Sequence, residues 1–185
     1  MILIRPCQDD DLDAVTHIYR HHVLHGTATF ETSPPSVEDM RQRCQDVKAK
    51  GLPWLVATRH GDVVGYAYAN WFRPRAAFRY CAEDSIYLAR EATGQGIGRA
   101  LLAELMSQCE RAGMRKLVAV IGDSANDASI GLHRSMGFEP VGTLKHCGWK
   151  FNRWLDIVMM ERSLGVGSDA PPTVADAELS GTAGH

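Results

Sequence analysis

At 185 residues, 45% hydrophobic and 23% charged, the chain has the size and composition of one ordinary globular domain with a real core. A net charge of -2 gives no support for broad nucleic-acid binding, and no apolar run approaches the roughly 20 residues that span a bilayer. The five cysteines (Cys7, Cys44, Cys81, Cys109, Cys147) are scattered, without a C-x-x-C pair, which points to reduced thiols in a cytoplasmic protein and away from a metal site or a disulfide frame.

Ile2–Arg5 reads as a first strand, ended by Pro6, and is too short and wrongly ordered for a signal peptide. Asp9, Asp10 and Asp11 offer an N-cap to a helix whose inward face is Leu12, Val15, Ile18 and Tyr19. An irregular piece follows, with Phe30 and Glu31 side by side, and then Ser33-Pro34-Pro35-Ser36 breaks the chain. Ser36 caps a second helix, with Val37, Met40, Cys44 and Val47 inward and Gly51 at its end. Pro53–Thr58 and Val63–Trp71 read as a hairpin turning at His60-Gly61-Asp62. An arginine-rich loop, 72–79, leads into a strand from Cys81 to Leu88.

After that strand, Gly94, Gly96 and Gly98 sit at every second position, and an amphipathic helix pattern follows at once through Ile97, Leu101, Leu105 and Cys109. Strand, glycine turn and helix make a phosphate cradle: glycines let the backbone approach, and the unpaired N–H groups of the first helical turn face an anion. A Walker A loop is excluded, since no Gly-Lys-Ser/Thr follows. A dinucleotide G-x-G-x-x-G read from Gly94 or Gly96 fails at Arg99 or Leu101. Lys116–Ile121 is nearly all apolar, as for a strand buried on both faces and parallel to the one ending at Leu88. Asn126–Ser129 starts a short helix closed by Gly137, and 141–150 with 154–161 form a last strand pair. From Gly165 the composition turns to Gly, Ser, Ala, Pro and Thr. We therefore end the folded domain at residue 164 and read 165–185 as a disordered tail.

Thr93-x-x-Gly96-x-Gly98 resembles the Arg/Gln-x-x-Gly-x-Gly/Ala pyrophosphate loop of the GNAT acyltransferase superfamily, with Thr93 at its first position. Asn126-x-x-Ser129-x-x-Leu132-His133-x-x-x-Gly137-Phe138 is similar to a second motif of that superfamily, at the expected distance. The resemblance covers residues 1 to about 162 and implies an α/β fold: a central twisted mixed sheet of about seven strands flanked by helices. Within the superfamily the chain looks like the phosphinothricin and methionine sulfoximine N-acetyltransferases. The shared blocks are Thr27–Glu31, Arg73-Pro74-Arg75-x-x-Phe78-Arg79, Ala82–Leu88, Ser129–His133 and Gly148–Asp156. That branch often carries His where this chain has Phe151 and Leu155.

Acetyl transfer to an amine needs a held donor, a neutral amine, a polarised carbonyl and a proton for the thiolate. The backbone of Thr93, Gly94, Gln95, Gly96, Ile97 and Gly98, with Arg99, is the expected pyrophosphate site. By resemblance, Ile86, Tyr87, Leu88, Asn126, Ser129 and His133 complete the acetyl-CoA site, with a backbone N–H at Leu88 or a neighbour facing the carbonyl. Glu83, a carboxylate on a central strand, is the expected base, either catalytic or paired with Arg73, Arg75 or Arg79. Alternation puts Glu83, Ser85 and Tyr87 on one face and Asp84, Ile86 and Leu88 on the other. By resemblance, His133 is the thiolate acid; alternatively it only contacts CoA or packs in its helix. Arg73 and Arg75 are the expected clamp for an acceptor carboxylate, with Phe30, Glu31 and Ser85 shaping the substrate pocket. Trp149, Lys150, Phe151 and Trp154 are read as core and as the contact of a homodimer. Competing readings keep the donor but change the acceptor to a polyamine, an aminoglycoside or a protein N-terminus, or make the chain a non-catalytic acyl-CoA-binding module. The arginine loop speaks against polycations.

Overall fold

The computed structural model describes residues 1–172, so most of the expected tail (173–185) lies outside the described residues. Seven strands, β1 (Ile2–Pro6), β2 (Trp54–Arg59), β3 (Asp62–Trp71), β4 (Cys81–Leu88), β5 (Lys116–Gly122), β6 (Glu139–Lys150) and β7 (Arg153–Ser163), form one sheet in the order β1-β2-β3-β4-β5-β7-β6. All neighbours are antiparallel except β4 and β5. That parallel pair is joined by α3 (Ile97–Arg111), as the nearly continuous apolar run of β5 predicts. The other helices are α1 (Leu12–His25), α2 (Val37–Ala49) and α4 (Asp127–Ser135).

Strand alternation sorts the helices onto two faces. Tyr66, Tyr68 and Tyr87 stack with Trp54 on one face, where the Tyr19 ring of α1 meets Tyr87 edge-on at 4.9 Å. On the other face Gly65 leaves room for Leu88 and for Leu101 of α3. The predicted apolar stripes carry this packing: Val15 and Tyr19 on α1, Met40, Cys44 and Val47 on α2, and Leu101, Leu105 and Cys109 on α3 are all buried. Ser36 caps α2 by accepting the Asp39 N–H at 3.1 Å, and Asp39 answers the Ser36 N–H. The β2–β3 turn has positive φ at both His60 and Gly61, the backbone of a twisted two-residue hairpin turn.

Two local readings change. The Asp11 carboxylate does not cap α1. It takes both terminal nitrogens of Arg5 at 2.7 Å and the Gln8 N–H at 2.7 Å, closing a short turn ahead of the helix. Beyond Leu164, itself buried, the chain makes a hydrogen-bonded turn through Gly167 before the described residues end.

Candidate active site

Parallel pairing of β4 with β5 stops at Asp84 opposite Ala119, and the two strands splay beyond it. Odd residues of β4 aim their backbone groups at β3, as the Phe72–Cys81 and Ala89–Val64 bonds show. The N–H groups of Ile86 and Leu88 therefore face the opened gap. A crack of about 60 Å³ occupies the splay, lined by Asp84, Ser85, Tyr87 and His133 among others. It shares Ala28, Ile86, Asn126 and Ser129 with a cleft of about 820 Å³ that runs out between α3 and α4.

The glycine loop forms the outer end of that cleft. Gly94 and Gly96 have φ of 73° and 76°, a region that side-chain-bearing residues rarely adopt, and nothing lies within 4 Å of where their Cβ atoms would stand. Gly96 is the N-cap of α3 and supplies no side chain, so the first-turn N–H groups stay free for an anion. Thr93, Gly94, Gly96, Gly98 and Arg99 line the cleft, whereas Gln95 and Ile97 do not. Gln95 instead ties the loop to the β2–β3 hairpin through Arg59, and Ile97 is core. The Thr93 hydroxyl is spent on the Arg90 carbonyl at 2.9 Å, and Arg99 reaches Ser135 on α4 at 3.0 Å. Asn126 caps α4 through Ser129 N–H and donates to the Gly122 carbonyl at 3.0 Å while lining cleft and crack. An anion cradle, a long mainly apolar trough and a gap wide enough for a two-carbon group fit the parts of acetyl-CoA in order.

His133 is almost fully buried on the cleft side of β4. Its Nε2 lies 2.9 Å from Asp84 Oδ2, and its Nδ1 lies 2.8 Å from the Ser129 carbonyl oxygen and 3.4 Å from the Ser129 hydroxyl. Two oxygen acceptors fit a doubly protonated ring. Burial pulls the imidazole down, but the hydrogen bond and charge of Asp84, with the Ser129 carbonyl, outweigh it, and the net shift is upward. Asp84, the other partner, is 7% exposed, and its Oδ1 has no hydrogen-bond partner.

Glu83 stands on the opposite face, beside Ser85 and across from Asn70. Among the described residues it has no ion-pair partner within 4.0 Å, so the arginine pairing open in the sequence is not made. Burial, then the neighbouring Asp84 charge, push its carboxyl up to about 7 against a smaller downward pull from Arg73. Arg73 lies over the Phe72 ring at 4.5 Å, and Arg75 is exposed at the start of a short turn. Phe30 and Glu31 do not line the cleft or crack. Phe30 packs against Gly122 and Gly148, where a Cβ would come within 2.7 and 2.2 Å of its ring. Glu31 is held by Arg43 at 2.6 Å and by the Tyr19 hydroxyl at 2.9 Å.

Five residues not read from the sequence as part of the site contribute to it, Lys150 among them, which the sequence reading places in the core. His22 Nε2 meets the Leu88 carbonyl at 2.8 Å and lines the cleft. Lys150, only 4% exposed, donates to the carbonyls of Gly26 and Thr29, both at 2.8 Å, and so fastens the loop whose Gly26, Thr27 and Ala28 form a cleft wall. Arg153 and Asp123 form an ion pair at 2.7 Å on the same rim. Asp84 alone carried a signal, since the case for a carboxylate on a central strand applies to it as to Glu83. Among the described residues there is no group of three or more His, Cys, Asp or Glu set to hold a metal, and no helix is long and apolar enough to cross a membrane.

A splayed parallel pair beside a glycine cradle defines a nucleotide-thioester transferase site. The chain matches the Acetyltransferase (GNAT) family over residues 17–138, and it belongs to that family. It is 52% identical over 169 residues to a phosphinothricin N-acetyltransferase of Alcaligenes faecalis, covering 91% of this chain and 86% of that one. It is 39% identical over 171 residues to the L-methionine sulfoximine/L-methionine sulfone acetyltransferase of Pseudomonas paraeruginosa, covering 91% and 98%. A crystal structure of a GNAT phosphinothricin acetyltransferase from Sinorhizobium meliloti in complex with acetyl-CoA superposes with a TM-score of 0.91, at 47% identity, over 93% of each chain.

Proposed function

We propose that this chain moves the acetyl group of acetyl-CoA to the α-amine of a small amino-acid analogue, of the phosphinothricin or methionine sulfoximine and sulfone type, by direct attack in a ternary complex. The observation that carries this reading is the gap between β4 and β5, which joins a donor cleft with an anion cradle to the sheet face on which a half-buried carboxylate, Glu83, stands, its carboxyl pushed up to about 7. The relatives' substrates supply the acceptor class.

In this reading Glu83 takes a proton from the ammonium, directly or through one water, and frees the nucleophile. The N–H groups of Ile86 and Leu88 stabilise charge on the thioester oxygen within the splay. Gly94 to Gly98 and Arg99 hold the pyrophosphate, and Asn126 and Ser129 border the pantetheine. His133 protonates the departing sulfur. Arg73 and Arg75 clamp the acceptor's carboxylate, near Ser85. Phe30 and Glu31 shape the acceptor side from behind, through the loop they anchor. The exposed Trp149, Phe151 and Trp154, with Leu144 and Val141, support a homodimer across β6 and β7, and the reduced cysteines support a cytoplasmic setting.

The test is CoA release with acetyl-CoA and a panel of phosphinothricin, methionine sulfoximine, methionine sulfone, common amino acids, spermidine and a peptide. Turnover confined to the first three is the expected result. Tight acetyl-CoA binding with no turnover on any amine would overturn catalysis in favour of a binding module.

A further inference from the structure

Two consecutive carboxylates on β4 face opposite sides of the sheet, and the reaction as read above uses only Glu83. Asp84 is the more deeply buried and sits where the donor enters. Its Oδ2 is 2.9 Å from His133 Nε2, and among the described residues it has no other ion-pair partner within 4.0 Å. Its Oδ1 is buried without a partner. Isolated in this way, a buried carboxylate is costly unless a cation answers it. The ring that answers it is held from the far side by the Ser129 carbonyl and braced edge-on by Phe138 at 5.0 Å. From α3 the Cys109 thiol lies in the field of Asp84, and burial and then Asp84 push it upward, away from the charged form.

We infer that Asp84 is the positioning residue of the thiol side: it keeps His133 as an imidazolium and fixes the ring so that Nδ1 faces Ser129 at the cleft wall. The inference rests on His133 being the proton donor. In the step it serves, the thioester C–S bond breaks, and its electron pair goes to sulfur. The sulfur takes the proton from His133 Nδ1, and the ring remains neutral with its Nε2–H on Asp84. Solvent recharges it after CoA leaves. Glu83 and Asp84 then divide the proton traffic, one removing it from the amine on one face, the other governing its delivery on the opposite face. Without the carboxylate, burial, the largest influence on the ring, is opposed only by the Ser129 carbonyl, and burial favours the neutral form.

The experiment compares wild type, Asp84→Asn and His133→Asn in steady-state kinetics from pH 6 to 10, with ¹⁵N-histidine NMR of the wild type. Asp84→Asn is expected to lower kcat at least tenfold, leave the KM for acetyl-CoA within about twofold, and move the falling limb of the kcat profile to lower pH. A purely structural role would not move that limb. The wild-type His133 ring is expected to be doubly protonated at pH 7.5. Full kcat in His133→Asn would remove the donor reading itself. Loss of kcat in His133→Asn, with kcat and limb unchanged in Asp84→Asn, would overturn the inference about Asp84 alone. If Asp84→Asn does not fold, a neutral His133 in the wild-type spectrum at pH 7.5 overturns it.

Discussion

Burial and the Asp84 charge lift the Glu83 carboxyl up to about 7, and the consequences are measurable at one residue. With Glu83 as the proposed base and His133 as the proposed acid, kcat/KM is expected to rise about tenfold per unit up to about pH 7 and to fall only where His133 gives up its proton. Glu83→Gln is expected to lower it by roughly 10²–10⁴-fold, with acetyl-CoA affinity by calorimetry unchanged. Stability moves the other way. The unfolded chain releases this proton near an ordinary Glu value, about 4.3, before the folded chain does. Folding stability contributed here is therefore present below that value and is lost as pH rises through about 7. Glu83→Gln is expected to raise Tm at pH 8 by roughly 2–4 °C and to leave it unchanged at pH 4. Arg73 pulls the same carboxyl down, so Arg73→Gln is expected to shift the rising limb to higher pH while raising the acceptor KM. An unmoved limb would separate Arg73 from the base.

At the scale of elements, the segment between α1 and α2 forms a wall of the donor cleft although it has no regular structure of its own. It is pinned by Lys150 from the end of β6 and by Phe30 seated over Gly122 and Gly148. Lys150→Met would leave two carbonyls without their donor, at about 1–3 kcal/mol each where they are buried. It is expected to lower Tm and raise the acetyl-CoA KM together. Gly148→Ala forces a Cβ into the Phe30 ring and is expected to cost about 1–3 kcal/mol. Phe30→Leu in the same chain is expected to recover most of that, as read by urea unfolding. Equal losses in the single and double variants would refute the contact.

The whole molecule leaves an apolar surface at one edge of its sheet. Trp149 near the end of β6, Phe151 in the β6–β7 turn and Trp154 at the start of β7 are each at least half exposed. We expect a dimer by light scattering, and a monomer from Trp149→Glu with Trp154→Glu. A wild-type monomer at micromolar concentration would leave these aromatics with no partner of this kind.

What the chain determined by itself is local. Helical stripes, the Ser36 cap, the hairpin turn and the glycine turn ahead of α3 all depend on neighbours within a few residues, so each was legible in order. The splay of β4 from β5 was legible only through the family likeness, because no local rule says where a parallel ladder stops. Glu83 stood out as a carboxylate on a central strand; Asp84 met the same criterion, but its partner lies 49 residues away and only folding brings α4 over it. Phe30, Glu31, Lys150 and His22 make the same point. Their contacts are set by how helices and strand ends meet, and side-chain chemistry alone gives no register for such meetings. Tertiary structure decided what meets each face of β4, α4 with His133 over Asp84 and the α1 side beside Tyr87, because strand alternation has meaning for function only once helices cover both sides.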